Sequence, residues 1–245
     1  GVASTQAIGL GYKSILRGDS TAALCGGFDS LTETLNIAAF DSLGLLTNQR
    51  DYFSGPFDKD RNGFVMGEGA GMLVLEEYEH ARNRGAKIYA EITGYYTNHE
   101  GNTFLDIDPE GKELSECING ALQESNVPIE SIGFINCYSS GTKIGDSSEL
   151  NAINSLFDSD IYLSANKGAF GHLIGASGAV ETIATIASLN RNEIPENLIK
   201  KVDNPFPNLK IETQKVKISG RNAIKISRGM GGENTVLVLK GGIHE

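Results

Sequence analysis

The stretch IGFINCYSSGTKIGDSSELNAINSLF, residues 132–157, predicts a strand, a loop of small and polar residues and a helix, in that order. Its first part, residues 132–137, is a short apolar run typical of a buried strand, and residues 145–157 predict a helix. A strand that leads into a helix through a short loop is the building unit of α/β proteins.

The same order of elements recurs on both sides of this unit. Further strands are predicted at residues 22–27, 72–76, 88–94, 162–164, 223–227 and 234–240, with Ile211 in an edge strand. Further helices are predicted at residues 1–18, 36–46, 111–125 and 175–190, with a short helix that ends at Gly85. Because strands and helices alternate, the sequence predicts an α/β fold with mixed sheets between layers of helices.

Apolar residues at helical or strand spacing mark the faces that we expect to be buried. In the first helix these are Ile8, Tyr12, Ile15 and Leu16, and in helix 111–125 they are Leu114, Ile118, Ala121 and Leu122. The apolar runs at residues 22–27 and 72–76 predict buried strands. Helix 175–190 has small residues on several sides and is also predicted to be buried.

The balance of charge excludes several classes of function. The 245 residues include 31 acidic and 21 basic residues, which gives a formal net charge of -10. Nucleic acids and anionic membrane surfaces are bound through basic faces. No apolar run approaches the roughly 20 residues that a membrane-spanning helix needs. The sequence therefore predicts a cytoplasmic protein that binds neither nucleic acid nor membrane.

The cysteines and histidines do not predict a disulfide framework or a metal site. Their positions are Cys25, Cys117 and Cys137, without a CxxC pair, and His80, His99 and His244, without metal-ligand spacing. An odd number of cysteines in this arrangement suits a reducing compartment. We therefore expect no bound metal.

Three loops rich in glycine are the candidates for a functional site. They are NCYSSGTKIGD at residues 136–146, NKGAFGHLIGASG at 166–178 and GMGGEN at 229–234. Each follows a predicted strand, so all three are expected to meet at one end of a sheet, where α/β proteins build their sites. The glycine segment at residues 67–71 precedes a strand instead of opening a helix, and no GxxxxGK[ST] occurs, so nucleotide-binding loops are excluded.

Together with GFDSLTETLNIAAFDSLGLLT (residues 27–47) and PFDKDRNGFVMGEGAGMLVLEEYEHARNRGAKIYAEI (residues 56–92), these loops resemble the β-ketoacyl-[acyl carrier protein] synthases. These acyltransferases are the condensing enzymes of fatty acid and type II polyketide synthesis. The resemblance implies a thiolase-like, layered αβαβα fold whose N-terminal part is missing from this chain. Residues 1–86 would then be the remainder of an N-terminal half, and residues 87–245 the C-terminal half.

The resemblance also implies which positions form the active site. The family's nucleophilic cysteine, which lies at a helix N-terminus and carries the acyl chain as a thioester, corresponds to Gly1. The family's first histidine corresponds to Tyr138, while its second histidine and its lysine are retained as His172 and Lys167. The supporting acidic positions are Asp146, Glu149 and Glu181, and the gate loop is Gly229, Met230 and Gly231, where Met230 replaces a phenylalanine and Arg228 precedes it.

With the nucleophile and one histidine absent, the chain is most similar to the chain-length factor, or ketosynthase-β subunit, of type II polyketide synthases. The resemblance implies a heterodimer with a ketosynthase-α subunit. The chain would shape the interface tunnel that limits the polyketide during decarboxylative Claisen condensation of malonyl units, with residues 30–46 in that interface. Implied partners are an acyl carrier protein, whose phosphopantetheine arm carries the substrate, and the chain's own N-terminal segment. No bound cofactor is expected.

Other interpretations of the same residues stay open at this point. His172 and Tyr138 could support malonyl thioester decarboxylation, or Gly1 could be a nucleophile substitution in an active synthase. His172 could be a structural hydrogen-bonded residue, and Lys167 could form a buried ion network with Asp146, Glu149 or Glu181. Cys137 is a candidate for a displaced nucleophile. The start at Gly1 could reflect cleavage with the other half still bound, truncation or numbering.

Overall fold

The computed structural model describes residues 1–50, 55–102 and 104–242 of the chain. The helices are α1 (Ala3–Leu16), α2 (Thr34–Ser42), α3 (Tyr78–Asn83), α4 (Lys112–Ser125), α5 (Lys143–Asn154), α6 (Lys167–Phe170) and α7 (Ser177–Arg191). The strands are β1 (Ala22–Ser30), β2 (Glu68–Glu76), β3 (Glu91–His99), β4 (Ile132–Asn136), β5 (Ile161–Ser164), β6 (Glu193–Ile194), β7 (Leu209–Lys210), β8 (Val216–Lys217), β9 (Asn222–Arg228) and β10 (Glu233–Lys240).

The larger sheet is mixed, as the sequence predicts. Within the described residues it has six strands in the order β3-β10-β9-β4-β5-β7. β10 pairs antiparallel with both β3 and β9, whereas β9, β4, β5 and β7 run parallel to one another. β1 and β2 form a separate antiparallel pair, here called the β1–β2 sheet. This arrangement confirms the layered α/β prediction; the division at residues 86/87 stays a prediction.

One face of the larger sheet is covered by α4 and α5. The predicted inward face of α4 is confirmed, because Leu114, Ile118 and Ala121 are fully buried and Leu122 nearly so. They pack in one cluster with Leu150 of α5 and with apolar residues of β4, β9 and β10. This core holds the carboxyl ends of β4, β5 and β9 in fixed positions relative to one another.

The N-terminal helix α1 packs against α7 through positions that have no room for larger side chains. A Cβ at Gly178 would collide with Thr5 Oγ1 and would lie 2.9 Å from the Thr5 nitrogen. The Ala179 N–H donates to Ser4 Oγ at 2.9 Å. This close contact places the start of α1 beside the loops that follow β4 and β5.

The burial predicted for two strands is wrong on one face. Leu24 and Phe28 of β1 and Val74 of β2 are 68%, 81% and 67% exposed. Helices α1 and α7 cover one face of the β1–β2 sheet, and no described element covers these three side chains. An apolar sequence pattern shows that a strand is suited to burial, but not that a covering layer is present.

Several boundaries also differ from the prediction. β3 begins at Glu91, not at residue 88, because its pairing with β10 runs from Glu91 to His99. Ile211 lies just beyond the edge strand β7. The predicted loop at residues 166–178 contains the short helix α6. Leu16 is exposed because α1 is buried through its earlier turns, from Ser4 to Gly11. Within the described residues, no helix has both the length and the apolar character to span a membrane.

Candidate active site

The three loops predicted to form a site meet at the carboxyl ends of β4, β5 and β9. A pocket between them is lined by Gly1, Tyr138, His172, Arg228 and Met230, with Phe40, Phe64 and Phe104 as aromatic walls. The N-terminus of α1 therefore reaches the same pocket as the loops. This confirms that the three loops converge.

Gly1 faces both positions at which the resemblance places histidines. A Cβ built on Gly1 would lie 2.8 Å from Tyr138 Cε2, 3.3 Å from His172 Cε1 and 2.7 Å from the Arg228 carbonyl oxygen. The first two distances bring the predicted site residues into contact range across more than 130 residues of sequence. Gly1 itself offers no side chain to this pocket.

His172 has a hydrogen-bonding pattern that fixes its tautomer. The Ile174 N–H donates to His172 Nδ1 at 3.0 Å, and the Ser177 hydroxyl lies 3.1 Å from the same nitrogen. Since Nδ1 accepts, the proton of the neutral ring is on Nε2, which donates to the Tyr138 hydroxyl oxygen at 3.0 Å. The Tyr138 hydroxyl hydrogen is then free to donate into the pocket.

The ring of His172 is also kept neutral. It is buried, which lowers the pKa of His172 well below its ordinary value, and the positive charge of Lys167 lowers that pKa further. Phe64 packs edge-on against the ring at 4.8 Å between centroids. At neutral pH His172 is therefore a hydrogen-bond donor through Nε2 and carries no charge.

Lys167 belongs to a buried ion network centred on Glu181. Its Nζ donates to Glu181 Oε1 at 2.6 Å and to the Tyr138 carbonyl oxygen at 2.6 Å. Lys225 Nζ binds the other oxygen, Glu181 Oε2, at 2.8 Å and also donates to the Ile226 carbonyl. Burial opposes ionisation of Glu181, but the two ammonium groups outweigh it, so the pKa of Glu181 is lowered. The predicted network is confirmed for Lys167 and Glu181.

Asp146 and Glu149 lie in the same region but have other partners. Glu149 accepts the Tyr138 and Ser139 N–H groups, each at 2.7 Å, and the Ser139 hydroxyl. Of the three carboxylates offered as alternative partners of Lys167, Glu181 is the one that pairs with it, whereas Asp146 and Glu149 accept backbone N–H groups. Both carboxylates lie on α5, which follows the loop, and both accept hydrogen bonds from backbone N–H groups of that loop.

Asp146 completes this support together with Arg61. It accepts the Phe57 N–H at 2.9 Å and the Gly141 N–H at 3.1 Å, and Arg61 Nε lies 3.2 Å from Oδ2. Burial raises the pKa of Asp146 to about 7, against the opposing effects of the Phe57 N–H and the Arg61 guanidinium. These contacts make Asp146 a structural residue of the loop.

The loop at residues 229–234 is tied to the segment after β3. Arg228 Nη2 pairs with Glu100 Oε1 at 2.6 Å, and both side chains are buried. The Gly231 N–H donates to the Phe104 carbonyl at 2.8 Å. Met230 is partly exposed at the rim of the pocket. Met230, the position that the resemblance assigns to the gate, therefore lies between two residues, Arg228 and Gly231, that both contact the segment after β3.

Sequence analysis missed three charged residues of this region: Arg61, Glu100 and Lys225. The available signal was Lys225 between two isoleucines of the predicted strand, in the sequence AIKIS, which indicates a buried partner for the lysine. Arg61 and Glu100 lie in loop-like sequence that gives no such signal. Their partners are far away in the chain, so spacing alone could not identify them.

The alternative nucleophile and metal sites find no support in the described residues. Cys137 is fully buried, and burial raises the pKa of its thiol well above the ordinary value, which disfavours the reactive thiolate. Among residues 1–50, 55–102 and 104–242, no group of three or more His, Cys, Asp or Glu side chains is placed to hold a metal ion. His244 lies outside the described residues.

Comparison with protein families gives two adjacent matches. Residues 3–81 match the family model described as "Beta-ketoacyl synthase, N-terminal domain", and residues 89–200 match "Beta-ketoacyl synthase, C-terminal domain". Both matches are to the same family, and together they account for most of the chain.

Curated relatives extend this similarity. The chain is 34% identical to 3-oxoacyl-[acyl-carrier-protein] synthase 2 of Synechocystis, covering 97% of the chain and 59% of that protein. It is 37% identical to the mitochondrial 3-oxoacyl-[acyl-carrier-protein] synthase of Arabidopsis thaliana, covering 96% of the chain and 53% of that protein. The chain thus spans little more than half the length of the curated relatives it matches.

Solved structures with this fold include both synthases and polyketide complexes. A β-ketoacyl synthase from Burkholderia phymatum superposes with a TM-score of 0.91 at 32% identity, over 98% of this chain and 60% of that one. A structure titled "The ishigamide ketosynthase/chain length factor" gives a TM-score of 0.90 at 33% identity, over 98% and 59%. These two structures therefore match the chain about equally well in fold and in sequence.

Proposed function

This chain belongs to the β-ketoacyl synthase family, and we propose that it acts there as a non-catalytic subunit, the chain-length factor (ketosynthase-β) of a type II polyketide synthase. The observation that carries this proposal is Gly1, at the start of α1 beside His172. Covalent condensation needs a nucleophile at that place, and glycine has none. Loss of the family's first histidine, at Tyr138, supports the same conclusion.

Overall similarity does not choose between a catalytic and a non-catalytic subunit. The curated relatives at 34% and 37% identity are named as synthases, while the neighbour at 33% identity is a ketosynthase/chain length factor. The proposal therefore depends on Gly1 and Tyr138 and not on the closeness of any relative.

The exposed apolar surface supports a heterodimer. Leu24 and Phe28 of β1 and Leu35 of α2 are more than 60% exposed, and α2 has no buried residue. Exposed large apolar side chains mark a protein interface where they form a patch. We assign it to contact with a ketosynthase-α subunit and, as the family resemblance implies, with an N-terminal segment of the same protein. The growing chain would be attached to the partner's cysteine and delivered by the phosphopantetheine arm of an acyl carrier protein.

Co-expression with a ketosynthase-α subunit tests this proposal. We expect a stoichiometric heterodimer on affinity purification, with acyl groups found by mass spectrometry on the partner alone. A matched control uses a ketosynthase-α whose nucleophilic cysteine is replaced by alanine, which should leave the heterodimer intact and free of acyl groups. A homodimer that becomes acylated and condenses malonyl units without a partner would refute the proposal.

A second candidate function is decarboxylation of a malonyl thioester. It is favoured by the Tyr138 hydroxyl, which accepts from His172 and is left with a free hydrogen to donate to a thioester carbonyl. In this reaction the C–C bond to the carboxylate breaks, CO2 leaves, and the electron pair passes to an enolate that is then protonated. Losing one of two oxyanion donors costs about 2.7–4 kcal/mol, so we expect a slow reaction.

This candidate is tested by CO2 release from malonyl carrier protein in the absence of any partner. Tyr138→Phe removes the hydroxyl that would donate to the carbonyl, and His172→Ala removes the N–H that orients this hydroxyl. Each substitution should therefore remove the activity. Release at the same rate in both variants would exclude these residues as the site.

A further inference from the structure

We propose that the ring of Tyr138 occupies the space of the side chain that position 1 lacks, so that Gly1 and Tyr138 form a complementary pair that excludes any covalent acyl carrier from the pocket. This inference deepens the proposed function and rests on it. Two features then prevent acylation of the site: position 1 lacks a nucleophile, and the ring of Tyr138 fills the space that a nucleophilic side chain would need.

The first support is steric. A Cβ at residue 1 would lie 2.8 Å from Tyr138 Cε2, closer than Cβ atoms in proteins approach a neighbour. The His172 ring, at 3.3 Å from the same Cβ, is also a tight contact, although less severe. The Arg228 carbonyl at 2.7 Å closes the pocket from another side. A sulfur beyond Cβ would need still more room, so a thiol at residue 1 has no place while the tyrosine stays.

The second support is that the tyrosine cannot easily move away. Its hydroxyl oxygen accepts from His172 Nε2 at 3.0 Å, and Lys167 Nζ lies 4.4 Å from the centre of its ring. The Tyr138 N–H donates to Glu149, and the Tyr138 carbonyl accepts from Lys167 at 2.6 Å. Both the ring and its backbone are therefore held by buried charged or polar groups.

These contacts explain what the retained residues do here. His172, Lys167 and Glu149 all form hydrogen bonds with Tyr138. The pocket that remains has aromatic walls at Phe40, Phe64 and Phe104 beside polar and charged groups such as Arg228 and Asp106. The aromatic walls suit a hydrocarbon or polyketide segment that is attached elsewhere. It follows that replacing Gly1 with cysteine is not sufficient to restore a reactive thiol.

A double-mutant cycle tests the pairing directly. Gly1→Ala is made with tyrosine, phenylalanine or alanine at position 138, and the melting temperature of each protein is measured. Gly1→Ala should lower the melting temperature with tyrosine or phenylalanine, which have the same ring, and should lower it much less with alanine. An equal loss in all three backgrounds, or failure to fold in all three, would assign the obstacle to the Arg228 carbonyl and overturn the proposal.

A thiol-labelling experiment gives an independent chemical readout. Gly1→Cys is combined with tyrosine or alanine at position 138, and alkylation of residue 1 by iodoacetamide is followed by peptide mass spectrometry. We expect labelling to be about tenfold or more faster with alanine, because overpacking is relieved. Cys25, Cys117 and Cys137 are buried in the folded protein, so their alkylation in the same sample would show that the protein has unfolded. Fast labelling of residue 1 beside an intact Tyr138, with those three cysteines protected, would overturn the proposal. Since no partner is needed, failure here leaves the heterodimer proposal standing.

Discussion

His172 is a pocket residue that should make the stability of the folded protein depend on pH. Its pKa in the folded protein is well below the ordinary value near 6.5. Below pH 6.5 the unfolded chain therefore binds a proton that the folded protein does not. The stability contributed by the neutral ring is present above that pH and is lost as the pH falls, by up to about 1.4 kcal/mol per pH unit.

We therefore expect the wild-type protein to lose stability more steeply than His172→Gln between pH 6.5 and 5. The measurement is the free energy of unfolding from urea titrations at several pH values. His80→Gln, at an exposed histidine, is the control and should follow the wild type. Parallel curves for wild type and His172→Gln would show that the ring is not held neutral.

Glu181 gives a second prediction at the residue scale. Glu181→Gln removes the carboxylate between the Lys167 and Lys225 ammonium groups, and both lysines are buried. Removing one partner of a buried ion pair costs about 3–5 kcal/mol, and we expect a loss of that size in urea unfolding. Glu193→Gln breaks an exposed pair with Lys217 and should have little effect. Equal effects of the two substitutions would contradict the network.

At the scale of elements, the contact between α1 and α7 positions the start of α1 in the pocket. Gly178→Ala places a methyl group against Thr5 of α1. Overpacking of this kind costs about 1–3 kcal/mol, and we expect a corresponding fall in stability on thermal or urea unfolding. Gly69→Ala meets only an ordinary contact with Leu173 and is the matched control. A stable Gly178→Ala protein would mean that the helices can separate without cost.

Elements also show how far sequence could predict this structure. The inward face of α4 follows from helical spacing alone, because Leu114 and Ile118 recur on one side. The convergence of three loops follows from their places after strands. The partners of Asp146 and Glu149 could not be predicted, since carboxylates on a helix bind whichever backbone N–H groups the preceding loop presents. Arg228 and Glu100 pair across more than 120 residues, which no local pattern encodes.

At the scale of the whole molecule, the exposed apolar side chains of the β1–β2 sheet predict association. Phe28→Ser combined with Val74→Ser should reduce the binding of a hydrophobic fluorescent dye to the isolated chain. These side chains are exposed, so the melting temperature should not fall by more than a few degrees. In the proposed heterodimer the same substitutions should weaken subunit binding. Unchanged dye binding would show that the dye binds an apolar surface other than the exposed face of the β1–β2 sheet.

The strand order of the larger sheet has a consequence for how the protein folds during translation. Among the described strands, β10 is the single link between β3 and β9. On the ribosome, β3 emerges before its one described strand partner, and it can pair with that partner only after residues 233–240 leave the exit tunnel. Non-local pairing of this kind slows folding and leaves strand edges open to wrong partners. The nascent chain should therefore depend on chaperones through most of its translation, and its sheet should close only when β10 inserts.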